Sequence, residues 1–222
     1  MIVERKLIKI KEGLVRFATL AESMLGKSIK GLKEKDKFLL TDVIEVDELR
    51  ANEFEIELEE QCVAMIAQHQ PAGKILRTIL MISKITSTLE RVGDHAVNIC
   101  GHSLYLIERP QVKPLIDIPR MAETVMGMLD DSIHSFVEED AALAKDVCER
   151  DSIVDGLRDQ IIRELITFMT SDPTTIERSL HLIRIANNME RVADLSTNIS
   201  EDVIYMVEGR VIKHHVDDEN QE

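Results

Sequence analysis

The chain has no tryptophan, two tyrosines and five phenylalanines in 222 residues. Any core it builds must therefore be aliphatic. Nine glycines and five prolines are too few for an all-β chain that turns every few residues, and the expected fold class is all-α. Cys62, Cys100 and Cys148 are odd in number and far apart, with no CxxC, which argues against a disulfide scaffold or a cysteine zinc site. They read as small thiols in a reducing cytoplasm. No stretch approaches the roughly 18 apolar residues of a membrane span, and no signal peptide precedes the first helix, so a soluble, cytoplasmic protein is expected. Positive charge is also short: 27 basic against 41 acidic residues leave a net charge of −14. Such a field repels phosphate backbones and argues against direct nucleic-acid binding, while cations and basic protein surfaces suit it.

What is present is a stretch written twice. Residues 90–99 read Glu-Arg-Val-Gly-Asp-His-Ala-Val-Asn-Ile, and residues 190–199 read Glu-Arg-Val-Ala-Asp-Leu-Ser-Thr-Asn-Ile. Eight of the nineteen positions from 90 to 108 recur one hundred places later, among them the only two tyrosines, Tyr105 and Tyr205. This is the mark of a duplicated helical unit. Each copy carries an apolar seam stepping by three and four residues: Ile82, Ile85, Leu89, Val92, Ala96 and Ile99, then Leu182, Ile185, Met189, Val192, Ser196 and Ile199. That spacing belongs to helices packed in a bundle.

The same periodicity predicts six long helices, over about 6–32, 36–69, 72–108, 118–137, 138–170 and 173–208. Pro71 closes the second, and Ser171-Asp172-Pro173 supplies a cap and a first-turn proline for the sixth. Pro110, Pro114 and Pro119 form the one proline cluster and mark the joint. The expected organisation is two tandem, pseudo-symmetric three-helix bundles, 1–109 and 115–212, followed by a polar tail, 213–222.

Beside each seam runs a polar stripe at four-residue spacing, Glu90, Asp94 and Asn98 in one copy and Glu190, Asp194 and Asn198 in the other. Two carboxylates one turn apart suit a hard or borderline cation. They are equally at home on a solvated face, with Arg91 and Arg191 neutralising Asp94 and Asp194. On the preceding helices Glu48 with Asn52, and Asp151 with Asp155, repeat the spacing at matching heights. Converging on one place per half, these side chains are candidates for an oxygen shell. His102 stands in register with Asp94 and Asn98, as a further ligand or as an interface histidine. No Glu-x-x-His ligand pattern follows Glu90 or Glu190, there is no Gly-rich phosphate loop and no nucleophile–base arrangement, so an enzyme is not expected.

Over essentially its whole length the chain resembles the PhoU family. The two repeated motifs carry the likeness, with Gln70-Pro71 before Leu76-Arg77, Asp151 and Asp155, and the ending Tyr205-Met206-Val207-Glu208-Gly209. The resemblance implies two three-helix bundles whose (Glu/Asp)-x-x-x-Asp motifs bind divalent or transition metals such as iron, zinc, manganese or magnesium. The metal residues it implies are Glu48, Asn52, Glu90 and Asp94 in one half and Asp151, Asp155, Glu190 and Asp194 in the other. It further implies a homodimeric negative regulator of the phosphate-starvation response. Its partners would be the ATPase of the phosphate ABC transporter and a phosphate-sensing histidine kinase, with the membrane reached only through them. An accessory of another phosphate or cation transporter, without a kinase partner, is the alternative. Asn52 stands where a carboxylate would complete the first pair, and Ile75 where the family often has Asp. On that count the second site is expected to bind the tighter.

Overall fold

A computed structural model describes residues 2–208 of the chain; the polar tail, 213–222, and the expected stop at Gly209 lie outside the described residues. The helices are α1 (Ile2–Glu34), α2 (Lys37–Asp42), α3 (Glu48–His69), α4 (Gly73–Ile107), α5 (Asp117–Glu138), α6 (Ala141–Ser171) and α7 (Ile176–Glu208). A π-helical turn, Val43–Asp47, joins α2 to α3 into one rod, and a short 3-10 turn, Pro173–Thr175, opens α7. The result is two three-helix bundles, α1 with α2/α3 and α4, then α5 with α6 and α7.

Local chemistry places the ends. Asp140 accepts hydrogen bonds from the backbone N–H groups of Ala142 and Leu143 and so caps α6. Asp172 does the same for Thr174, with Pro173 in the first turn where its missing N–H costs nothing. Gln70 stops α3 in the left-handed region, φ 44°, directly before Pro71. Between α1 and α2 the chain doubles back over Gly31, where a Cβ would lie 2.6 Å from Cδ2 of the fully buried Leu40. Only a glycine admits that approach.

The π turn has an electrostatic clamp. Lys27 Nζ, from α1, donates to Asp42 and Asp47 at 2.7 Å each. Asp47 is only 3 % exposed, and a buried carboxylate without a cation would be costly. The turn inserts its extra residue immediately before Glu48, so it sets the rotational phase of α3. In the second half α6 runs unbroken from Ala141 to Ser171.

The predicted seams are buried: Ile82, Leu89, Val92, Ala96 and Ile99 on α4, and Leu182, Met189, Val192, Ser196 and Ile199 on α7. They belong to one aliphatic core shared by both halves. Ile75, at the position expected to remove an acid, packs against that core. The halves meet where α4 runs antiparallel to α7 and α1 lies against α5. Along the α4–α7 seam Lys84 pairs with Asp202 at 2.6 Å and His95 Nδ1 meets Asn188 Oδ1 at 2.8 Å. None of the described helices is long and apolar enough to cross a membrane.

Candidate metal-binding faces

The antiparallel packing of α3 on α4 brings Glu48, Glu90 and Asp94 to one face, with Asn52 exposed one turn along from Glu48. Their fields confirm the proximity. Partial burial holds the Glu90 carboxyl above its ordinary range, and the negative charges of Asp94, Glu55 and Glu48 push it further, against a pull from Arg91. Glu55 is raised as well, by burial first, then by Glu59 and Asp94. Glu55 is thus a fourth carboxylate on this face. It sits seven residues, two turns, beyond Glu48, a signal that a search confined to four-residue pairs passes over.

In the second half α6 and α7 assemble the corresponding face from Asp151, Asp155, Glu190 and Asp194. Asp194 is raised by burial, then by Asp151 and Asp155, with Arg191 and Arg158 opposing. Glu190 is raised by burial and Asp194, while Arg158 pulls it back. Arg158 is the distinctive member. Its guanidinium reaches Glu190 Oε1 at 2.5 Å, Asp155 Oδ1 at 3.2 Å and Asp159 Oδ1 at 3.1 Å.

A register of 103 residues relates the two faces. It takes Glu48 to Asp151 and Asn52 to Asp155, and the buried Ala51, Leu58 and Cys62 to the buried Val154, Ile161 and Leu165. The same step takes Glu55 to Arg158. One face therefore holds four carboxylates and an amide; the other holds four carboxylates crossed by a guanidinium.

Among the described residues no three His, Cys, Asp or Glu side chains stand close enough to share one ion. As they stand, the acids are opposed pairs on neighbouring helices. Their all-oxygen donor set suits a hard cation, and their mutual repulsion is what such a cation would relieve.

His102 has another neighbour. Across the α4–α7 seam its Nδ1 lies 3.2 Å from Nδ1 of His181, whose ring stacks on Tyr105 at 3.9 Å and 4°. The Arg109 guanidinium lies 3.6 Å above the Tyr105 ring. Burial holds both imidazoles below their usual range, and the charge of Arg184 adds to it. His102 is an interface histidine between the halves.

The comparisons with known proteins agree with this architecture. The PhoU domain family matches residues 14–102 and 118–203, one match in each half. The phosphate-specific transport system accessory protein PhoU homolog of Aquifex aeolicus is 38% identical over 210 residues, which span 95% of each chain. Homolog 2 of Thermotoga maritima is 32% identical, over 98% of this chain and 92% of its own. The crystal structure of PhoU from Pseudomonas aeruginosa superposes with a TM-score of 0.89 at 31% identity, covering 93% of this chain and 99% of that one. With both halves matched, and relatives this similar along nearly their whole length, the chain belongs to the PhoU family.

Proposed function

We propose that the protein is a cytoplasmic accessory of phosphate transport that acts as a negative regulator of the phosphate-starvation response. In this reading it couples the phosphate ABC transporter, through its ATPase, to a sensor histidine kinase, and it is an adaptor rather than an enzyme. The observation that carries the reading is the twofold family match lying on two halves that each oppose carboxylates across neighbouring helices. The relatives' names support the transport role: they are accessory proteins of the phosphate-specific transport system.

Glu48, Asn52, Glu90 and Asp94, joined by Glu55, would hold a divalent or transition metal in the first half. Asp151, Asp155, Glu190 and Asp194 would hold one in the second. A bound cation would supply positive charge against the acids that α3 and α4, or α6 and α7, bring together. The chain's own residues set the bias. Crowded acids on two helices repel, so the unloaded face favours separation and neutralisation favours closure, which changes the surface offered to a partner. With Glu55 added to the first face and Arg158 set across the second, the ranking expected from Asn52 and Ile75 is reversed, and the first face is the stronger cation site.

The test is to measure binding of the purified transporter ATPase and the kinase cytoplasmic region to metal-stripped and metal-loaded protein. A change in either affinity on loading supports the coupling. Unchanged affinity for both removes the metal from the signalling account, and no binding to either removes the adaptor reading itself.

A further inference from the structure

The outer surface of α3 carries a feature that the metal faces do not use. Leu49, Ile56 and Val63 are 61%, 59% and 67% exposed. They recur every seven residues, so they form one stripe of about 21 Å at 1.5 Å per residue. Large apolar side chains aligned on one exposed helix face, unlike scattered ones, mark a contact surface. Exposed glutamates flank the row on both sides: Glu53 and Glu60 along one edge, Glu45 and Glu59 along the other, each three or four residues from a stripe member. None of these four is in an ion pair among the described residues.

The duplication provides an internal control. At the 103-residue register the stripe positions on α6 are Ser152, Asp159 and Ile166, and Glu53 and Glu60 become Gly156 and Arg163. The second half keeps the buried positions and the carboxylate face but not this outer row. The row is therefore no by-product of building the bundle.

We propose that the α3 stripe is the docking surface for a cationic amphipathic helix of a partner protein, one that presents an apolar ridge between lysines and arginines. Charge selects this occupant. A second copy meeting the stripe through its own would oppose glutamate to glutamate. An anionic membrane surface would be repelled by the same edges. A basic helix satisfies both features, because its ridge covers Leu49, Ile56 and Val63 while its cations meet the flanking carboxylates.

The experiment uses the full chain and two labelled synthetic peptides of about 20 residues, a length that spans the stripe. They share one leucine ridge and differ only in having lysine or glutamate flanks. Fluorescence anisotropy should show the lysine peptide binding and weakening with added salt, and the glutamate peptide not binding. Leu49→Glu and Ile56→Glu should each weaken the lysine peptide at least tenfold, and Glu53→Lys with Glu60→Lys should do likewise. Ile153→Glu and Ile166→Glu on α6 should leave it unchanged. Circular dichroism confirms that each variant is folded, and all these positions are exposed. Equal binding of the two peptides would overturn the proposal, as would binding indifferent to the α3 variants. Sedimentation showing self-association that Leu49→Glu abolishes and the lysine peptide does not displace would also overturn it, by making a second copy the occupant.

Discussion

The two halves descend from one plan but treat negative charge differently. In the first, Glu48, Glu55, Glu90 and Asp94 face one another, and Arg91 tempers Glu90 from within its own helix. In the second, Arg158 crosses from α6 to grip Glu190 on α7 while also pairing with Asp155 on its own helix. The second face carries its own counter-ion, and the first has a further carboxylate, Glu55, at that position. The halves differ in backbone too. The rod of the first is broken by a π turn clamped by Lys27, while α6 is continuous. A duplicated fold can thus hold its core fixed and diverge at single surface positions, turning equivalent faces to different uses.

The largest effect should come from the clamp. Lys27→Met leaves Asp47 buried without its cation and should cost about 2–3 kcal/mol, read as a fall in the urea midpoint. Loss of Arg158 should have a smaller effect, on binding rather than stability. Arg158→Gln should raise divalent-cation affinity of the second face on the order of tenfold, and Glu55→Arg should lower that of the first by a similar factor. Calorimetric titration of each variant reads both, and unchanged affinities would make the two faces equivalent.

Helix entry differs as well. Asp172 caps the turn that opens α7, whereas Ala72 gives α4 no side-chain cap. Asp172→Ala should cost about 1 kcal/mol, while changing Ala72 to Ser should cost nothing. Urea unfolding distinguishes the two.

The smallest effect lies where the halves meet. Burial and the charge of Asp130 on α5 raise the Glu22 carboxyl, on α1, to about 7. A folded pKa above the ordinary carboxylate value means that the folded state holds the proton more tightly. Stability from this group is complete below about pH 4.5 and is lost as pH rises through about 7. Glu22→Gln should remove that dependence and stabilise the protein at pH 8 by on the order of 1 kcal/mol, allowing for partial exposure. Melting curves from pH 5 to 8 check it.

How much of this could be read in advance follows from how local each signal is. The duplicated motif, the seams, the proline joint and the Asp172-Pro173 start depend on neighbours in sequence, and the helices lie within a few residues of their expected bounds. The π turn at Val43–Asp47 has no such mark, and the cation that pairs with its carboxylates, Lys27, lies on another helix. Glu55 was readable as the next turn of the stripe begun by Glu48. Arg158 becomes meaningful only when its guanidinium reaches across to Glu190. The pairing of His102 with His181 depends on how the two bundles pack, which neither copy of the motif encodes by itself.

The most direct measurement is a manganese titration of metal-stripped protein carrying either Asp94→Ala or Asp194→Ala, beside the unsubstituted chain. Asp94→Ala should remove the tighter binding step, and Asp194→Ala should leave it in place. Loss of the tighter step with Asp194→Ala, or equal losses in the two variants, would contradict the claim that the first half holds the open cation face and the second half fills its own.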